Sequence, residues 1–90
     1  MSPLPTKSAT LNEVVEVTLD EIRPGGRARI QKNRATGAVK QRMMDMGFHR
    51  GVTVEVIRNA PLVDPVEFMM DSQHVSHRHE EASMIEVETL

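Results

Sequence analysis

Apolar and polar residues change their period several times along this chain, and each change marks an element. Val14, Val15, Val17 and Leu19 alternate loosely with Glu13 and Glu16, which predicts a strand over 11–19. Pro24-Gly25-Gly26 then signals a turn. Arg27 to Lys32 alternates charged with apolar, predicting a strand with Ala28 and Ile30 inward. At Thr36-Gly37 the period lengthens. Val39, Met43 and Met46 are spaced i, i+4, i+7, one face of a short helix over 37–46 that Gly47 ends. Met44 lies off that stripe and is expected to be partly exposed.

Beyond Gly51 the period of two returns. Val52, Val54 and Val56 alternate with Thr53 and Glu55. Asn59 to Pro65 is a loop held between two prolines, Pro61 and Pro65. Val66, Phe68 and Met70 share one face of the next strand, and Asp71-Ser72 turns. Gln73 to Arg78 is a weakly patterned strand, Glu80-Glu81-Ala82 a single helical turn, and Met84 to Glu88 the last strand. The pattern is mostly β. Five to six short strands and one short helix predict a small, partly open barrel.

Length and composition narrow this further. A chain of 90 residues makes one domain, expected over 11–90, behind a Pro-, Ser- and Thr-containing disordered tail over 1–10. Aromatics are 2% of the chain, Phe48 and Phe68, so the core must be aliphatic with help from seven Met. No cysteine excludes disulfides, thiolate metal sites and cysteine nucleophiles. No apolar run approaches a membrane span and no signal-like start is seen, so a cytoplasmic domain is expected.

The net charge of −2 hides a split. Residues 23–50 carry eight cations against Asp45 alone, net +7, while residues 51–90 are net −6. Either the fold presents separate basic and acidic patches, or the charges interleave in space.

Four stretches in order carry a resemblance. They are Leu19-x-Glu21-Ile22-x-Pro24-Gly25, Arg42-Met43-x-Asp45-Met46-Gly47-x-x-x-Gly51, Ala60-Pro61-Leu62-x-Asp64-Pro65, and Arg78-x-Glu80-x-Ala82-x-x-Ile85-x-Val87. Over about residues 19–88 the chain resembles the FeoA family, small cytoplasmic proteins of bacterial ferrous iron transport. The resemblance implies an SH3-like barrel, no catalysis, and partnership with the membrane permease FeoB. The same barrel closes some iron- or manganese-dependent repressors. Only 18 residues precede Leu19 here, so a free-standing protein is expected. One segment departs from the family. Where Gly-Tyr-x-Leu-x-Leu-Arg is usual, this chain has Ser72-Gln73-His74-Val75-Ser76-His77-Arg78, which places polar Gln73 and His77 at two inward positions.

Candidate sites follow from these readings. The helix exit, Met44, Gly47 and Phe48, together with the Ala60-Pro61-Leu62 loop, is the expected partner-binding surface, because methionine adapts to partner shapes and a proline-stiffened loop loses little entropy on binding. The opposing reading makes the methionines core and the loop a plain connector. Arg27, Arg29 and Arg42 form a candidate basic patch toward acidic groups of a partner or anionic lipid. Without Tyr or Trp to stack bases, nucleic acid is not the expected partner. His77 and His79, i and i+2 on one strand, share a face and form a candidate weak site for iron or zinc; solvated or barrel-mouth histidines are the plainer alternative. No cofactor is required. No nucleophile motif or phosphate loop is present, so no small-molecule substrate or enzyme activity is expected. The open edges allow a homodimer. The expected function is a non-catalytic accessory of ferrous iron uptake acting on FeoB. The alternative is a metal-sensing or nucleic-acid-binding barrel.

Overall fold

The computed structural model describes residues 16–90. The expected tail over 1–10 and most of the first predicted strand lie outside the described residues. From Glu16 the chain runs through β1 (Glu16–Thr18), a 3-10 turn (Leu19–Glu21), β2 (Arg27–Asn33), α1 (Gly37–Asp45), β3 (Thr53–Arg58), β4 (Val66–Met70), β5 (Gln73–His77), α2 (His79–Ala82) and β6 (Ile85–Thr89). Among the described residues the strands form one six-stranded antiparallel sheet, ordered β1-β6-β2-β3-β4-β5. It is the open, mostly β architecture the pattern predicts, with β1 and β5 as its edges.

Alternation decides which face is buried. Ala28 and Ile30 of β2, Val66, Phe68 and Met70 of β4, and Ile85 and Val87 of β6 point into one core, while Arg27 and Arg29 point out. Register shifts between Ile30 and Lys32 and between Val56 and Arg58 interrupt the ladders, which bends strands and deepens their twist. Asp71 (φ 46°) and Ser72 (φ 68°) are both left-handed, as a two-residue hairpin turn requires, and they join β4 to β5.

Gly47 fixes the helix exit. Its φ is +100°, and its N–H donates to the Met44 carbonyl at 3.0 Å. The N–H of Phe48 donates to the Met43 carbonyl at 3.1 Å. This pair of bonds is a Schellman cap, which customarily brings the residue two past the helix end against the helix's last turn. Here that residue is Phe48. With Met43 it is buried in the core, and its ring meets Phe68 edge-on, centroids 5.8 Å apart. The helix cap thus directs one of the chain's two phenylalanines inward. Phe48, expected on the partner-binding surface, is a core residue.

Folding neutralises part of the charge split. β6 lies beside β2, so Arg29 meets Glu88 (3.4 Å) and Arg34 meets Glu86 (2.6 Å); Arg42 pairs with Glu81 and Arg58 with Glu67 (3.7 Å). The basic and acidic halves interleave in space. These pairs are exposed on at least one side and are worth about 0–1 kcal/mol each. Their main effect is to neutralise Arg29 and Arg42, two members of the expected basic patch.

Candidate functional site

Three features remain once core and ion pairs are accounted for: a pinned loop, a buried histidine and an unneutralised basic groove.

The loop follows β3. At its start, Asn59 Nδ2 donates to the carbonyls of Asp20 and Ile22, both at 2.8 Å. At its far end, Asp64 accepts the backbone N–H of His79 at 2.7 Å, and the Asp64–Pro65 bond is cis. The His79 ring sits against the loop, Nε2 being 3.0 Å from the Ala60 carbonyl and 2.9 Å from the Val63 carbonyl. Carbonyl oxygens only accept, so Nε2 carries the proton and donates to both. The tip between these ties is Leu62, 99% exposed and left-handed at φ +61°. A left-handed Leu costs roughly 1–2 kcal/mol. The surrounding hydrogen bonds hold it there, and an apolar side chain is projected into solvent. Pro61, Leu62 and His79 border a groove of about 360 Å³ with Ile22 and Pro24.

His77 is different. It is 3% exposed, with its ring edge-on to Phe48 at 4.7 Å. Nδ1 lies 3.3 Å from Glu81 Oε1, and Nε2 is buried without a partner. A carboxylate can only accept, so Nδ1 holds the proton and Nε2 presents a bare lone pair to the core. Burial pushes the imidazole pKa below its ordinary 6.5, against the opposing pull of Glu81. For Glu81, burial acts to raise the pKa, but the N–H of Arg78, the His77 bond and the Arg42 charge outweigh it and hold the carboxyl below 4.5.

The paired-histidine expectation rested on one continuous strand. β5 ends at His77, and His79 opens α2. The two side chains are therefore not a strand pair: one is tied to Glu81 in the core, the other to loop carbonyls. Among the described residues no group of three His, Cys, Asp or Glu side chains is placed to hold a metal ion. Gln73, expected inward, is exposed beside the hairpin turn on edge strand β5.

The third feature is a groove of about 620 Å³ between β2, α1 and the turn at His49-Arg50. Lys32, Lys40, His49 and Arg50 line it over Met44 and Phe48, and no acidic residue does. Met44 is 36% exposed, in keeping with its place off the helix stripe. It borders this groove, whereas Pro61 and Leu62 border the other. Sequence reasoning missed this basic cluster. Its signal was present, since Lys40 and Met44 are i, i+4 neighbours on one helix face.

The FeoA domain family matches residues 17–89, nearly the whole described chain. The chain belongs to the FeoA family. A curated relative from Porphyromonas gingivalis, the Fe(2+) transport protein A/Fe(2+) transporter FeoB fusion protein, is 39% identical over 72 residues. The match takes in 80% of this chain and 8% of that much longer protein. The solution structure of a FeoA protein from Chlorobium tepidum is 38% identical, with a TM-score of 0.75 over 82% of this chain and 70% of that one. The Stenotrophomonas maltophilia FeoA, described as a procaryotic SH3 domain protein, is 24% identical with a TM-score of 0.67, over 79% of this chain and 88% of its own. That likeness concerns the fold, and the fold is SH3-like. In this FeoA domain the departure at Ser72–Arg78 comprises one exposed residue at the hairpin end, Gln73, and one polar core residue, His77.

Proposed function

We propose that this FeoA-family chain is a non-catalytic accessory of ferrous iron uptake that binds the cytoplasmic side of a FeoB-type permease and regulates its transport. The observation that carries this reading is the P. gingivalis relative, in which a matching domain and the FeoB transporter share one polypeptide. Fusion holds two partners at high effective concentration, which benefits domains that work in contact. The Leu62 loop supports the reading physically. A strained, pre-set apolar tip loses little entropy on docking, and a single anchor of this type can dominate an interface. Met44, 36% exposed, offers a further apolar contact. Among the described residues no helix is long and apolar enough to cross a membrane.

The test is capture of the purified protein by the FeoB cytoplasmic domain and by the full-length permease, with and without Fe(II). Binding is expected, and its iron dependence separates a regulator that senses iron from one that does not. Failure to bind either form overturns the reading.

A further inference from the structure

The groove between β2 and α1 gathers three cations that no carboxylate pairs among the described residues. Arg29, Arg34, Arg42 and Arg58 each face a carboxylate. Lys32, Lys40 and Arg50 make no ion pair among the described residues, and all three border one depression together with His49. Glu86 stands opposite Lys32 across the β2/β6 ladder, and Arg34 holds it at 2.6 Å. Beneath the cations lies an apolar floor, with Met44 open to solvent.

We propose that this groove takes an acidic segment of a partner protein, seating an apolar side chain on Met44 while its carboxylates meet Lys32, Lys40 and Arg50. Charge complementarity sets the sign of the occupant. The floor sets its class. A free polyphosphate gains nothing from an exposed thioether, whereas an amphipathic peptide seats an apolar side chain on it, and methionine adapts to the anchor. The opening, about 620 Å³, is of a size to bury a few side chains and too small for a folded domain. The assignment rests on the accessory reading only for the identity of the partner. It adds a second contact beside the Leu62 loop, which borders a separate depression.

The test is a titration of 15N-labelled protein, at physiological salt, with a short Glu/Leu peptide, a Glu/Ser peptide of equal charge, and phosphatidylcholine vesicles containing phosphatidylglycerol. The Glu/Leu peptide is expected to move the amide signals of Lys32, Lys40, Met44 and Arg50. The Glu/Ser peptide and the exposed double variant Lys32→Glu/Lys40→Glu, its fold verified by spectral dispersion, are each expected to bind roughly tenfold more weakly. Equal binding of both peptides, a response to vesicles but not to peptide, signals that move with protein concentration alone, or no response at all overturns the proposal. Capture by the FeoB cytoplasmic domain separates the two claims. If the double variant is captured as well as the parent, the groove assignment fails and the accessory reading stands. If neither is captured while the Glu/Leu peptide binds, the accessory reading fails and the groove assignment stands.

Discussion

His77 Nδ1 and Glu81 Oε1 lie 3.3 Å apart, joining the end of β5 to the first turn after it from inside the core. Glu81 would favour a protonated His77, but burial opposes the charge more strongly. The Nε2 of His77 has no acceptor, so protonation would bury an N–H with nowhere to donate. The unfolded chain titrates this histidine near the ordinary 6.5, and the folded chain does so lower. Over that interval the unfolded state binds more protons, so stability is complete above 6.5 and falls as the pH drops toward the folded value. Glu81, also lowered, adds a second loss below 4.5. Melting temperature is expected to be flat above neutrality and to decline from pH 6.5 downward. In His77→Phe the upper part of that decline disappears. A parent profile that is flat between pH 7 and 5 would contradict this account.

The Schellman cap makes Gly47 a stability determinant without any contact of its own. A Cβ there would meet only Met70 Cε at 3.7 Å, an ordinary distance, so space is not the constraint. The constraint is φ at +100°, which an L side chain rarely adopts. Gly47→Ala is expected to cost about 1–2 kcal/mol in urea unfolding. Gly51→Ala, also left-handed (φ +91°) and with open space around it, should cost a similar amount. A much larger loss at Gly47 alone would point to a packing role that these distances do not contain.

What was legible in the sequence is what depends on near neighbours. The inward sets of β2 and β4 follow from a period of two, and the helix and its end follow from Val39, Met43, Met46 and Gly47. The inward position of His77 was legible from the family resemblance rather than from a period, since this strand is weakly patterned. Its partner was not, because the chain leaves the strand at Arg78, whose N–H Glu81 accepts at 3.2 Å. An acid three residues into a helix is a recognisable start signal. The fate of the charges depends on topology. Only the placement of β6 beside β2 sets Glu86 and Glu88 against Arg34 and Arg29, while the groove cations stay unpaired among the described residues. Phe48 went inward because a cap, rather than a period, directs it.

The same geometry governs metal binding. A divalent ion using both His77 and His79 would have to reach the lone pair of His77 Nε2, which is buried in the core, while His79 Nε2 is already held by the carbonyls of Ala60 and Val63. Equimolar Zn(II) is therefore expected to leave the melting temperature of the parent unraised, and calorimetric titrations of the parent and His77→Ala are expected to coincide. A stoichiometric micromolar site lost in His77→Ala would show that the β5–α2 junction opens to admit the metal.

The Leu62 loop separates strain from packing in one pair of variants. Leu62 is 99% exposed, so its side chain contributes no core burial, and its φ of +61° is one that glycine adopts freely. Leu62→Gly is thus expected to leave stability within about 1 kcal/mol of the parent, lost strain offsetting gained chain entropy. Association with FeoB is expected to weaken about five- to thirtyfold, as when an interface anchor worth about 1–2 kcal/mol is removed. His79→Ala does the converse: it keeps the anchor and removes the two hydrogen bonds that hold Ala60 and Val63. Amide exchange across 60–64 should accelerate, and affinity should fall less than in Leu62→Gly, because a loosened loop must be reordered on docking. If Leu62→Gly binds FeoB as the parent does, the tip is not the anchor, and the basic groove alone carries the contact.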